Sequence, residues 1–236
     1  ETSFNHEGLL HTIREQAFLN RNVKISLRDN RPDQPEEKRY EVFHYEGGIV
    51  EMVQFLDEGK TPLHEPPIYI ERERDDVIVE LAIQYSGSYS ESVFTYVNNI
   101  NTVEGGTHLA GFRAALTGSV NSYGQANNLL KEMKDGLSGE DVREGITAVL
   151  SLKVPNPQFE SQTKIRLGNP EIRGLVQSVV NEALGEYFEE NPQVVKKVIQ
   201  KCVEAAQARM AARKARDLTR RKSILDGGGL PTKLSD

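Results

Sequence analysis

The sequence predicts an α+β fold, and three observations carry the prediction. Apolar residues alternate over 77–83 and 146–154, as strands require. Leu109, Phe112, Leu116 and Val120 recur at helical spacing over 107–123. After Asn169-Pro170 the apolar positions keep the helical period to Phe188 and take it up again from Val194 to Ile199.

In chain order, the opening zone reads as helix, strand, strand, helix. Leu9, Leu10, Ile13, Ala17 and Phe18 lie on one helical face, with Asn5 placed to cap its start. Asn20-Arg21-Asn22 reads as a turn into a half-buried strand of Val23, Ile25 and Leu27. Residues 29–38 are polar and read as a loop before a short strand at Tyr40 and Val42. Gly47-Gly48 ends that strand, and Ile49 to Leu56 form a short helix. This zone reads as the edge of a domain whose main body precedes it.

The middle zone reads as a domain of its own. A strand opens at Ile68 and Ile70 and gives way to the charged run 71–76. Strands follow at 77–83 and 92–97, the second broken by Asn98 and Asn99. Gly105-Gly106-Thr107-His108 turns the chain into the helix of 107–123. Ser138 caps a short turn, and the strand 146–154 places Ile146, Ala148, Leu150, Leu152 and Val154 on one face. The acidic clusters at 71–76 and 140–144 read as solvated faces.

The closing zone is helical. Asn169 as N-cap and Pro170 as first residue start a helix with a wide apolar stripe from Ile172 to Phe188. Asn191-Pro192 interrupts it, and a second helix runs over 192–222. Its start is apolar and its later part rich in Ala and Arg, so one end packs and the other extends away. Gly227-Gly228-Gly229 marks a flexible exit.

Composition bounds the function. The 236 residues suffice for one large domain or two small ones, and 37% hydrophobic with 27% charged residues describes a folded chain. The one cysteine, Cys202, rules out an internal disulfide and a thiolate zinc site, and points to a reducing compartment. No run nears the roughly 18 apolar residues of a membrane span. The N-terminus shows no signal peptide and reads as the continuation of a longer chain. Net charge is −6, yet residues 196–222 hold ten Lys or Arg against Glu204 and Asp217, a local +8 that leaves −14 for the rest.

That basic helix is the candidate nucleic-acid element. Arg209, Arg213, Arg216 and Arg220, with Arg221 beside them, share a broad face suited to phosphates rather than to base edges. A solvated helix face has the same pattern. The other candidate is the loop Glu160-Ser161-Gln162-Thr163-Lys164. A lysine on such a loop reaches a phosphate held elsewhere, and Gln162 hydrogen-bonds the same group. A solvent-facing turn lysine is the plainer reading. Gly105-Gly106-Thr107-His108 lacks the G-x-x-x-x-G-K-[ST] pattern and is either a phosphate-facing helix start or a tight strand-to-helix turn. The five histidines are scattered and no metal site is expected.

Several separated motifs resemble one family in its order: Arg14 to Asn20, Tyr45 to Ile49, Val103 to His108 with Gly111-Phe112, and Gln162 to Lys164 with Leu167-Gly168-Asn169. The chain resembles the back half of the ATPase region of the bacterial gyrase B family, or of its relatives in topoisomerase IV, and the motifs do not separate the two. The resemblance implies a transducer domain of the ribosomal protein S5 domain 2 fold over residues 31–222. Residues 1–30 would be the tail of a histidine-kinase-like ATPase domain, and 223–236 a linker toward the cleavage-reunion part.

It also implies roles. Gln162 and Lys164 would bind the nucleotide of the preceding domain, Lys164 contacting the terminal phosphate as the catalytic residue. Arg209 to Arg221 would meet double-stranded DNA without reading its sequence. ATP and magnesium would act in the intact protein, with none held tightly by this chain, which alone is expected to be inactive. The partners would be the upstream ATPase domain, the gyrase A protein or its topoisomerase IV counterpart, and a second copy of the intact protein. The place would be the cytoplasm, at the nucleoid. The rival reading is a non-enzymatic nucleic-acid-binding or scaffold module that kept the transducer fold.

Overall fold

The computed structural model describes residues 5–31, 35, 39–133 and 135–226. Two tight hairpins build its main sheet. Asp75 and Asp76 take φ of 51° and 59°, the left-handed pair that a two-residue turn needs. They join β3 (Ile68–Arg74) to β4 (Val77–Tyr85), with Arg74 opposite Val77. Asn98 and Asn99 do the same at φ 50° and 64°, joining β5 (Ser92–Val97) to β6 (Ile100–Asn101). With β7 (Ile146–Lys153), the strands lie in the order β3-β4-β7-β5-β6, antiparallel except for β5 beside β7.

The charged run 71–76 is thus not a break. It continues β3 at the sheet edge, where charges find partners and discourage further pairing. Arg72 pairs with Glu186 at 2.9 Å and Arg74 with Glu182 at 2.6 Å. Nor is β7 buried on one face only, because both of its faces are covered. Ala148, Leu150 and Leu152 point into one cluster and Val149 into another.

The first cluster lies under α3 (Thr107–Ala126) and α5 (Pro170–Glu190). These helices approach closely because residue 111 is glycine: a Cβ there would lie 2.5 Å from Arg173 O. Phe112, Leu116, Val176, Val180 and Leu184 fill the space beneath, all essentially inaccessible. Burial of each such side chain stabilises by about 1.5–3 kcal/mol. The second face carries α1 (His6–Leu19) and α2 (Ile49–Leu56). Phe18, Leu19, Ile49, Met52 and Val53 cluster there with Ala82, Tyr96 and Val149. Asn5 caps α1, accepting from Gly8 N. Beside them β1 (Ile25–Arg28) and β2 (Tyr40–Phe43) form a two-stranded antiparallel sheet, so the boundary expected at residue 30 falls between paired strands.

α4 (Gly139–Arg143) and α6 (Pro192–Asp226) complete the first layer. Ser138 and Asp141 form a reciprocal capping box at the start of α4. Glu140 is exposed but Asp141 is only 2% exposed, so the 140–144 cluster is solvated only in part. On α6, Val195, Val198, Ile199, Cys202, Ala205 and Ala206 are buried, whereas every residue from Gln207 to Arg220 is exposed. Burial pushes the Cys202 thiol up to about 12, which suits a packed side chain and not a nucleophile. The expected linker overlaps the end of α6, and its triglycine lies outside the described residues. No helix among the described residues is long and apolar enough to cross a membrane.

Candidate functional site

Gln162 and Lys164 sit at the tip of an irregular hairpin. Gly168 N donates to Gln158 O at 2.7 Å and Glu160 N to Arg166 O at 3.1 Å, while Phe159 bridges Leu167. The Arg166 guanidinium donates to Glu160 Oε1 at 2.9 Å and closes the stem. At the tip, Lys164 N donates to Ser161 O at 3.1 Å, forming a tight turn with Lys164 at φ 56°. A lysine enters that region only where its surroundings fix it. Gln162 and Lys164 are exposed, and neither side chain has a hydrogen-bond or ion-pair partner among the described residues.

The hairpin does not stand alone. Glu104 N donates to Ile165 O, Leu167 N to Gly105 O and Thr107 N to Leu167 O, all at 3.0–3.1 Å. The segment 104–107 is therefore a rail to which the hairpin is laced. Gly106 lies so close to Leu167 that a Cβ would come within 2.2 Å of Leu167 O, and its φ is 130°. This decides between the two readings of Gly105-Gly106-Thr107-His108. The Glu104 and Thr107 amides already hold hairpin carbonyls, so the turn presents a loop and not an anion.

Behind the rail lies a buried polar cluster that sequence reasoning does not find. Thr102 Oγ1 lies 2.7 Å from Thr95 Oγ1 and 3.0 Å from His108 Nε2. His108 is wholly inaccessible, and burial pushes its pKa from 6.5 down to about 4. The folded chain thus keeps the imidazole neutral where an unfolded chain would protonate it. His108 adds no penalty above pH 6.5, and its contribution is lost as pH falls from there toward 4. The loss is about 3 kcal/mol at its fullest. His64, also lowered by burial, acts in the same direction. Urea midpoints of the chain measured between pH 7 and 4 are expected to fall, and His108→Gln to flatten the fall.

The basic helix divides in the structure. Arg209 Nε and Nη2 donate to the two Asp141 carboxylate oxygens at 2.7 and 2.9 Å. Burial alone would raise the Asp141 pKa, but bonds from Arg209 and Ser138 outweigh it and hold the carboxyl below its usual value. Arg213, Arg216 and Arg220 are exposed, with no side-chain partner among the described residues. Nothing is described of the Arg221 side chain. The hairpin tip and the arginine face are on separate elements, one laced to the start of α3 and the other on the free half of α6. Among the described residues no group of three His, Cys, Asp or Glu is gathered as a metal site would need.

The DNA gyrase B family model matches residues 48–218. The chain is 52% identical over 235 residues to the DNA gyrase B protein of Staphylococcus aureus, covering 100% of this chain and 36% of that protein. It is 49% identical to the Bacillus mycoides gyrase B protein, also over 100% of this chain and 57% of that protein. Among solved structures, the 43K ATPase domain of Thermus thermophilus gyrase B matches with a TM-score of 0.79 and 38% identity, over 92% of this chain and 57% of that one. The topoisomerase IV ATP-binding domain of Francisella tularensis matches in fold, with a TM-score of 0.73 and 24% identity, over 89% of this chain and 55% of that one.

These matches overturn the expectation of an S5 domain 2-like transducer preceded by a mere ATPase tail. The matched structures are gyrase B ATPase and topoisomerase IV ATP-binding domains, and they cover nearly the whole chain. The physical reason lies in the second cluster. α1 and α2 share it with the main sheet, so the opening zone is not a detached edge. The α+β class itself stands.

Proposed function

Because the chain belongs to the DNA gyrase B family, we propose that it is the part of an ATP-dependent type II DNA topoisomerase that couples ATP binding and hydrolysis to DNA strand passage. The chain spans 36% of the length of the Staphylococcus aureus relative, so the activity is that of the intact protein. By itself the chain is expected to turn over no ATP and to leave DNA topology unchanged.

The observation that carries the reading is the laced hairpin, which offers at a fixed tip an ammonium and an amide that have no partner among the described residues. That donor set fits phosphate oxygens and not a cation. ATP with magnesium would be held by residues outside this chain, and supplies the phosphoryl group that is transferred. Lys164 would place its charge where negative charge develops on that group, and Gln162 would orient it by hydrogen bonding. Loss of the terminal phosphate would remove the partner of Lys164 and with it the load on the laced hairpin. The hairpin would thereby report nucleotide state to the rail and the sheet.

On the DNA side, Arg213, Arg216 and Arg220 would contact phosphates of a double helix without reading its sequence, with Arg209 and Arg221 on the same element. The gyrase A protein, or its topoisomerase IV counterpart, and a second copy of the intact protein would complete the machine, with negative supercoiling as its output in a gyrase. The DNA half has a direct test. Replacing Arg213, Arg216 and Arg220 together by Ala is expected to lower the salt dependence of DNA binding by about 0.9 per arginine in log–log slope. An unchanged slope in the intact protein would remove α6 from the DNA path.

A further inference from the structure

We propose that Thr102 and His108 are positioning residues for Lys164. The inference rests on the reading of Lys164 given above.

The geometry is that of a chord across a bow. Thr102 and His108 stand at the two ends of the rail 103–107, six residues apart, and join through Thr102 Oγ1 and His108 Nε2 at 3.0 Å. Between them the rail holds the hairpin through Glu104 N, Gly105 O and Thr107 N. Three further bonds tie one end of the chord to β5. Thr102 N donates to Thr95 O at 2.8 Å, Thr102 Oγ1 lies 2.9 Å from the same oxygen, and Thr95 Oγ1 donates to Thr102 O at 3.0 Å. The other end is fixed in the first turn of α3, where His108 is inaccessible to solvent.

Proton placement follows from what is left unpaired. His108 Nδ1 is buried without a partner among the described residues. An unmade donor there costs more than an unused lone pair, so Nε2 carries the proton and donates to Thr102 Oγ1. Thr102 Oγ1 then donates onward to Thr95 O. The chain of donors runs one way, from α3 to β5, and fixes the length of the rail between them.

A rail of fixed length places the carbonyl of Ile165 and both backbone groups of Leu167, which follow Lys164 closely in the chain. A lengthened rail would let the tip drift. Misplacement of a charged group by even about 1 Å lowers catalysis by as much as about 100-fold.

The test uses the intact protein. Thr102→Val keeps the shape and removes the hydroxyl, and Thr102→Ser keeps the hydroxyl. Thr102→Val is expected to lower kcat for ATP about tenfold with KM within about twofold, and Thr102→Ser to restore it. His108→Phe is expected to match Thr102→Val. In a Lys164→Ala background, Thr102→Val should cost nothing further, because both changes act through one ammonium. Losses that multiply, or wild-type turnover in Thr102→Val, would overturn the proposal.

Full turnover in Lys164→Ala would instead sink the reading of Lys164 on its own. The chord is then judged in the 236-residue chain by amide exchange. Thr102→Val must speed exchange at Thr107 and Leu167 relative to β4, and equal protection overturns it.

Discussion

In the intact protein, Lys164→Ala is expected to lower ATP turnover by about 10²–10³-fold while nucleotide binding stays within a few-fold of wild type. The size follows from where the charge acts. An ammonium that meets the terminal phosphate equally in ground and transition states would change KM and leave kcat alone. Charge accumulates on the transferred group only as the reaction proceeds, so a donor held in place for that moment acts on kcat. The structure supports the premise of being held in place: the tip is fixed by its own turn, by the stem and by three bonds to the rail. Lys164→Gln, which keeps a donor but no charge, should fall between the two. Steady-state turnover and equilibrium nucleotide binding measured on the same preparations check the result. Equal turnover by Lys164→Ala and wild type would return Lys164 to the status of a surface lysine.

Gly106→Ala costs the 236-residue chain about 3 kcal/mol or more of stability. The added methyl would fall 2.2 Å from Leu167 O and 2.6 Å from Leu167 N, and both are backbone atoms that cannot swing aside. The φ of 130° adds strain for any residue with a Cβ. Hairpin and rail must part, and the bonds of Leu167 to Gly105 and Thr107 go with them. Gly118→Ala is the matched control. Its methyl meets nothing nearer than Asn181 Oδ1 at 3.9 Å, and alanine is favoured in a helix interior by roughly 1 kcal/mol. Urea unfolding should therefore move in opposite directions for the two variants. A Gly106→Ala midpoint equal to wild type would show that the close approach is not as described.

Much of the secondary structure was legible because period and caps agree. Asn5 and Ser138 cap their helices and Pro170 opens α5, whereas the Asn169 side chain accepts from Gln158 N at 2.6 Å and makes no cap. The alternation over 77–83 and 146–154 announces strands. The departures share a cause. Charged residues on β3 looked like a solvated run that ends the strand because their partners, Glu182 and Glu186, are more than a hundred residues away. Asn98-Asn99 looked like the end of a strand, although two left-handed residues fold it straight back into β6. Asp141 looked solvated because nothing near it in sequence reveals Arg209. Of the candidate site, the loop with Gln162 and Lys164 stood out as a possible phosphate contact from its residue types, and motif resemblance sharpened their roles. The rail that holds them was not visible at all, since the fit of Gly106 against Leu167 is a contact between residues far apart in the chain. Unity of the opening zone with the main sheet was hidden for the same reason, as Phe18 and Val149 meet only in the folded core.

The division of α6 has a mechanical consequence. Its root is seated as far as Ala206, and the pair Arg209–Asp141 pins it just beyond. From there to Asp226 the helix is a cantilever of about 17 residues, which at 1.5 Å per residue reaches about 25 Å from its support. A tilt of about 10° at the root would sweep the far end through about 4 Å. A small tilt at the root would thus become a displacement of several ångströms at the far end, with no joint in the helix itself.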